Sequence, residues 1–124
     1  MKLRIKGDSL RLRVSPSEVV QLLETGRIQE TIHFGEEAQL TYAFELSEQA
    51  TAMTARYQAH EITVLVSGQD ARRWADGSEV GIYGEVGVGR ARLEIVVEKD
   101  FACLDKSEVD NRDTFPNPKH GAAC

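Results

Sequence analysis

Residues 10–18 read Leu-Arg-Leu-Arg-Val-Ser-Pro-Ser-Glu, which places the end of a strand directly before the start of a helix. Apolar residues alternate with arginine as far as Val14, the period-2 pattern of a half-buried β-strand. Ser15 then offers an N-cap, Pro16 suits the first helical position, and Glu18 can bond back to the cap, so the three residues form a capping box. The stretch predicts a strand followed by a helix, and hence an α+β fold.

Similar signals lie on both sides of this stretch. Upstream, Leu3 and Ile5 alternate with basic residues and are followed by a Gly-Asp-Ser break, which predicts a hairpin. Downstream, the helix is predicted over 16–25, ends at Gly26, and has its apolar stripe at Val19, Val20, Leu22 and Leu23. Ser67 predicts the cap of a second helix over 69–75, with Ala71, Trp74 and Ala75 on the inner side.

The rest of the chain to residue 98 is dominated by period-2 alternation. Loops such as 35–37 are too short for parallel crossovers, so the strands are predicted to be antiparallel. The predicted fold is mainly antiparallel: a curled or barrel-like sheet of about six to eight strands, two short helices and an irregular C-terminal tail. We expect one domain over 1–124, with an α+β core over 1–98 and a tail over 99–124 packed on it. No internal repeat with a period of about 20 to 50 residues is visible.

Composition limits the classes of partner. The net charge of -5 argues against general nucleic-acid binding, which needs clustered lysine and arginine. No apolar run approaches the roughly 18 residues that span a bilayer, so no membrane partner is expected. Two cysteines do not indicate the disulfide framework of an exported protein, and we expect a cytoplasmic location.

The N-terminal hairpin is the first candidate site. Residues 1–14 contain five cations and one anion, Asp8, a net charge of +4. Because successive side chains of a strand point to opposite faces, the cations are predicted to share one face if the apolar residues face the core. This face would suit an anionic small molecule, an acidic protein surface or a second copy of the chain, giving a homodimer; the alternative is a solubilising sheet edge. The candidate binding residues are Lys2, Arg4, Lys6, Arg11 and Arg13.

The tail is the second candidate site. Cys103, His120 and Cys124 supply two thiolates and an imidazole, Asp100 could add an oxygen, and zinc accepts such mixed sets. No C-x-x-C pair is present, so three states stay open: a zinc site, a Cys103–Cys124 disulfide, and unlinked thiols. Phe101, Leu104 and Phe115 are predicted to anchor the tail on the core.

No motif in the chain predicts catalysis. The glycines at 81, 84, 87 and 89 are followed by a strand where a nucleotide fingerprint needs a helix, so they predict a glycine-rich hairpin turn. His33 and His60 fall at strand ends or faces, where a structural histidine is the usual interpretation. We therefore favour a noncatalytic binding or interaction module that uses the basic hairpin; the alternative is a small enzyme or a metal-binding sensor built on the tail.

Four segments carry a resemblance to a known group of proteins. They are residues 1–13, 80–82, 98–104 and 115–118, which together sample nearly the whole chain. In these segments the sequence resembles an uncharacterised family of short bacterial proteins. The resemblance implies a bacterial, cytoplasmic, single-domain protein and assigns neither an activity nor a functional residue.

Overall fold

The computed structural model describes residues 1–101 and 113–116, and within them the chain forms eight strands and two helices. The elements in chain order are β1 (Lys2–Ile5), β2 (Ser9–Val14), α1 (Pro16–Thr25), β3 (Arg27–His33), β4 (Gln39–Leu46), β5 (Thr54–Gln58), β6 (Glu61–Val66), α2 (Gly68–Asp76), β7 (Gly81–Val88) and β8 (Ala91–Lys99).

The strands form two four-stranded sheets. Sheet 1 has the order β1-β2-β8-β7, and sheet 2 has the order β3-β4-β6-β5. Each sheet consists of two antiparallel hairpins that join through a parallel central pair, β2 with β8 in sheet 1 and β4 with β6 in sheet 2. Each helix leaves one sheet and leads the chain into the other.

The α+β class, the two helices and the mainly antiparallel pairing are confirmed, but the single curled or barrel-like sheet is wrong. Two separate sheets are present and neither closes into a barrel. Short loops force antiparallel pairing only between strands that follow each other in the chain. The parallel partners are remote in sequence, and a strand's hydrophobic pattern carries no information about which remote strand it pairs with.

The predicted capping box starts α1. The Ser15 hydroxyl accepts a hydrogen bond from the Glu18 amide, and Glu18 accepts one from the Ser15 amide at 3.0 Å. At the other end Gly26 adopts the left-handed conformation with φ 83°, and its amide bonds to the Leu22 carbonyl. The predicted cap of α2 is also present, because the Ser67 hydroxyl accepts from the Asp70 amide at 3.1 Å.

One core joins both sheets and both helices. Trp74 of α2 is fully buried, contacts Phe44 edge-to-face with ring centroids 6.2 Å apart, and donates its indole N–H to the Val80 carbonyl at 3.1 Å. Two residues predicted to face the core do not: Val20 is 54% exposed on α1 and Ile5 is 57% exposed. Val20 lies beside the buried stripe of α1, which is formed by Val19 and Leu22. Ile5 is the last residue of β1 and lies next to the hairpin turn, beyond the core.

The fold contains an internal repeat. Each half of the chain runs hairpin, helix, hairpin, and at one constant separation Ser67 corresponds to Ser15, Ala71 to Val19, and Trp74 to Leu22. This correspondence exchanges the two sheets, because β1-β2 maps onto β5-β6 and β3-β4 maps onto β7-β8. The separation, that between Ser15 and Ser67, is just longer than the period of about 20 to 50 residues typical of solenoid repeats.

The backbone hydrogen bonds follow the same repeat, although the separation grows by one or two residues after the helices. Asp100 donates to Val14 at 2.9 Å in sheet 1, and Ser47 donates to Val66 at 2.8 Å in sheet 2. Two further bonds are matched in the same way: Glu94 to Asp8 with Thr41 to His60, and Lys99 to Val80 with Leu46 to Gly26. The halves therefore share their backbone connections although few of their side chains are alike.

Candidate functional site: the basic hairpin face

The β1-β2 hairpin brings its cations together on one side. In the register, Lys2 lies opposite Arg13 and Arg4 lies opposite Arg11, while the Leu3–Leu12 pair takes the other face. Lys6 follows the end of β1 and lines a cleft together with Arg4 and Arg11. The predicted cationic face is present, and we call these five residues the basic face: Lys2, Arg4, Lys6, Arg11 and Arg13.

Only part of the basic face is neutralised by neighbouring carboxylates. Arg11 Nε lies 3.0 Å from Glu98 Oε1, and Lys2 Nζ lies 3.0 Å from Asp100 Oδ2. Among residues 1–101 and 113–116, no carboxylate lies within 4.0 Å of the charged groups of the other three cations, Arg4, Lys6 and Arg13. Like charges that face each other across a strand pair are destabilising, so the hairpin keeps an uncompensated positive potential.

A fully paired arginine lies on sheet 2 and contrasts with the basic face. Arg27 Nη1 lies 2.9 Å from Glu45 Oε1, and its Nη2 also binds Glu61, whose carboxylate accepts from the Thr63 hydroxyl at 3.0 Å. The hydrogen bond from Arg27 lowers the pKa of Glu61 and raises that of Arg27. This cluster satisfies itself and joins three strands, whereas the basic face does not.

Two small clefts open on the basic face. One, of about 130 Å³, is lined by Leu3 and four of the cations; the other, of about 180 Å³, lies between Arg4, Lys6, Arg11 and the β8 residues Glu94 and Val96. Both are smaller than the roughly 300 Å³ or more of a pocket for a drug-sized ligand. They fit single anionic groups, and Arg4 and Arg11, which line both, can bind a phosphate or carboxylate through two N–H groups.

Acidic residues continue the same outer face of sheet 1 across β8 and β7. In the register Glu98 lies beside Arg13, Glu94 lies beside Ser9, and Glu85 lies opposite Glu94. This acidic half was not predicted from the sequence. The alternation in β8 indicates that its glutamates point away from the core, but that β8 pairs with β2 depends on contacts between the two ends of the fold.

Of the four residues predicted to bind a metal, only Asp100 lies among the described residues. Its carboxylate contacts Lys2, and its amide bonds to Val14. Cys103, His120 and Cys124 lie outside the described residues, so the zinc site, the disulfide and the unlinked thiols all stay predictions. The part of the chain that the structure describes contains no group of three or more metal-ligating side chains in a binding arrangement.

Residues 113–116, which belong to the predicted tail, contact the core through Phe115. Phe115 meets Phe101 edge-to-face with centroids 6.0 Å apart, and its amide donates to the Asp100 carbonyl at 2.7 Å. Asp113 accepts hydrogen bonds from the amide and hydroxyl of Ser17 at the start of α1, which lower its pKa. Two of the three predicted aromatic and aliphatic anchors are thus in contact, and Leu104 lies outside the described residues.

The predicted glycine-rich turn is only partly correct. Gly89 lies in the β7-β8 turn with φ 60°, but Gly81, Gly84 and Gly87 lie within β7. A Cβ atom on Gly84 would lie 3.1 Å from the Met53 carbonyl oxygen, so this glycine permits a close approach between the sheets. No phosphate-binding loop is formed there, because three of the four glycines belong to a strand.

Neither of the helices in the described residues has the length and apolar character needed to cross a membrane. Searches for relatives found no match among curated proteins and none among solved structures. A family model does match residues 1–119, nearly the whole chain, and its description assigns no activity. The expected membership in an uncharacterised family is therefore confirmed, and the chain belongs to the family of unknown function DUF7009.

Proposed function

We propose that this protein is a noncatalytic binding module whose basic face binds anionic groups, on a small molecule or on an acidic protein surface. The observation that carries the proposal is the pairing of Arg4 with Arg11 directly across the hairpin, beside cations with no ion-pair partner in the described chain. An anion placed between the two guanidinium groups would remove the repulsion and form charge-assisted hydrogen bonds.

A purely solubilising role accounts for these cations less well. Solubility needs exposed charge of either sign, and the chain already has a net charge of -5. Concentrating five cations on one hairpin of an acidic protein produces a local field that attracts anions. The field is screened over about 8 to 10 Å at physiological ionic strength, so the binding should weaken as salt rises.

As part of the same proposal, we place this module in the bacterial cytoplasm. The support is the sequence resemblance stated above, together with a cysteine content that does not indicate a disulfide framework.

The test is binding of inorganic phosphate and pyrophosphate, measured by calorimetry at low and high ionic strength. The triple variant Arg4→Gln, Arg11→Gln, Arg13→Gln should lose at least about tenfold in affinity, because removing charge-assisted bonds costs about 1.5 kcal/mol or more. The matched control, Arg56→Gln, Arg72→Gln, Arg90→Gln, changes the net charge equally at exposed positions outside the basic face and should bind as the parent does.

Circular dichroism should show that both triple variants are folded. Equal binding by the two variants would contradict the proposal and assign the basic face a solubilising role. Binding that does not change with salt would also contradict it, since the attraction is argued from exposed charge.

A further inference from the structure

The outer face of sheet 1 is divided by charge into two halves. The β1-β2 half carries the basic face, and the β7-β8 half carries Glu85, Glu94 and Glu98. Within the chain Arg92 of β8 lies 2.8 Å from Glu85 and Arg11 lies 3.0 Å from Glu98, so a second copy would compete with these two ion pairs. Across both halves runs the row Arg4, Arg11, Val96, Tyr83, one residue from each strand, in which the Tyr83 side chain is 68% exposed. The residues that alternate with this row, such as Leu12 and Val97, are buried in the core.

We infer that this divided face binds a second copy of the same chain, in a face-to-face dimer with its two-fold axis parallel to the strands between β2 and β8. Such an axis turns the basic half of one copy onto the acidic half of the other, and the contact occurs twice by symmetry. The inference rests on the proposed function, because it uses the same cations and names their anionic partner.

The register specifies the contacts across this axis. A rotation about an axis parallel to the strands exchanges β1 with β7 and β2 with β8 and keeps each row in place. Lys6 then lies over the Glu85 of the second copy, and Arg13 lies over its Glu98. Arg4 lies over the ring of Tyr83, where a guanidinium gains a cation–π contact. An axis across the strands would instead place cations on cations.

The size of the face predicts a weak dimer. Four strands spaced about 4.8 Å apart, with about six residues of about 3.3 Å each, give roughly 400 Å² per copy. A stable interface buries about 800 Å² per partner, so this one is about half that size. We therefore expect a dissociation constant on the order of 100 µM and a strong dependence on salt, because most of the contacts are charged.

A charge exchange tests the inference by sedimentation velocity. The variant Arg4→Glu, Lys6→Glu reverses two charges of the basic half, and the variant Glu85→Lys, Glu94→Lys reverses two charges of the acidic half. In a dimer of either variant alone, like charges face each other at both symmetry-related contacts. Each variant should therefore dimerise at least about tenfold more weakly than the parent. An equal mixture should dimerise again, because in the mixed dimer both contacts join opposite charges. Recovery in the mixture also shows that both variants are folded.

The control Arg56→Glu, Arg72→Glu changes the net charge as much as the first variant does, away from sheet 1, and should dimerise like the parent. A parent protein that stays monomeric up to about 1 mM at low salt would overturn the inference, as would a mixture that stays monomeric while the parent dimerises. Dimerisation unaffected by either variant would mean that another surface is used, and would overturn it too.

The same variants separate this inference from the proposed function. Of these changes, Glu85→Lys alone alters no residue that lines either cleft, and the single variant should bind phosphate as the parent does. A monomeric parent whose phosphate binding depends on Arg4 and Arg11 would leave the proposed function standing and remove only the dimer. In the dimer itself, pyrophosphate should compete with the second copy and shift the equilibrium toward monomer.

Discussion

Ala59 and His60 form the two-residue turn between β5 and β6, and both have positive φ, 52° and 61°. Two-residue hairpin turns of this kind favour asparagine and glycine, because other residues pay a steric cost in the left-handed region. The double variant Ala59→Asn, His60→Gly should raise the free energy of unfolding by about 1 kcal/mol, measured in urea.

The equivalent turn between β1 and β2 serves as the control. It already has a glycine at φ 52°, Gly7, so Gly7→Ala should lower the stability by a similar amount. A double variant no more stable than the parent would show that the strain at Ala59 and His60 is offset by contacts of their side chains.

The turn at these two residues could not be predicted from the sequence. The strands on either side of Ala59 and His60 could be predicted from alternation, yet neither residue type signals a turn. By contrast, the residue types of Ser15 and Gly26 predict the start and the end of α1, and both predictions are confirmed. The sequence was sufficient to predict a structure where a residue forms hydrogen bonds with its own neighbours in the chain.

At the scale of elements, the Arg27 cluster joins β3, β4 and β6. The folded-state pKa of Glu61 is lowered, chiefly by the hydrogen bond from Arg27, so its contribution to stability is present above the unfolded pKa of about 4.3. That contribution is lost as pH falls through the lower folded pKa. We expect Arg27→Gln to reduce the free energy of unfolding by roughly 0.5 to 1 kcal/mol at neutral pH.

The pH dependence distinguishes this ion cluster from simple packing. In urea titrations the difference between the parent and Arg27→Gln should shrink as pH falls below about 4, because Glu61 becomes protonated in both proteins. Arg56→Gln, an exposed change on β5, should leave the stability nearly unchanged at every pH. A constant difference over the whole pH range would assign the effect to the packing of the arginine side chain.

Element pairing is also where the candidate site could be predicted only in part. Alternation within residues 2–13 was enough to place the basic face on one side of a hairpin. The acidic half required knowing that β8 lies beside β2, which follows from packing of the complete core around residues such as Leu12 and Val97. No local pattern in either strand encodes that choice.

At the scale of the whole molecule, Gly84 of sheet 1 packs closely against Met53, the residue before β5 of sheet 2. A Cβ atom there would lie 3.1 Å from the Met53 carbonyl oxygen and 3.3 Å from the Met53 Cβ. Gly84→Val should therefore force the sheets apart and cost about 1 to 3 kcal/mol in urea unfolding. Gly87→Val is the matched control on the same strand, because nothing lies within 4 Å of its Cβ position.

Valine favours strands over glycine, so the control variant should be neutral or slightly more stable than the parent. Equal losses at both positions would show that the cost arises from the strand itself and not from the approach of the two sheets.

The parallel pairing of β2 with β8 has a consequence for how the protein is made. Sheet 2 is built from one continuous stretch, 27–66, whereas sheet 1 needs residues from near both ends of the described chain. During synthesis the β1-β2 hairpin must wait, with one edge unpaired, until β8 has left the ribosome. Its five cations repel the same hairpin of another nascent chain during that delay, which disfavours edge-to-edge pairing of two such hairpins before the fold can close.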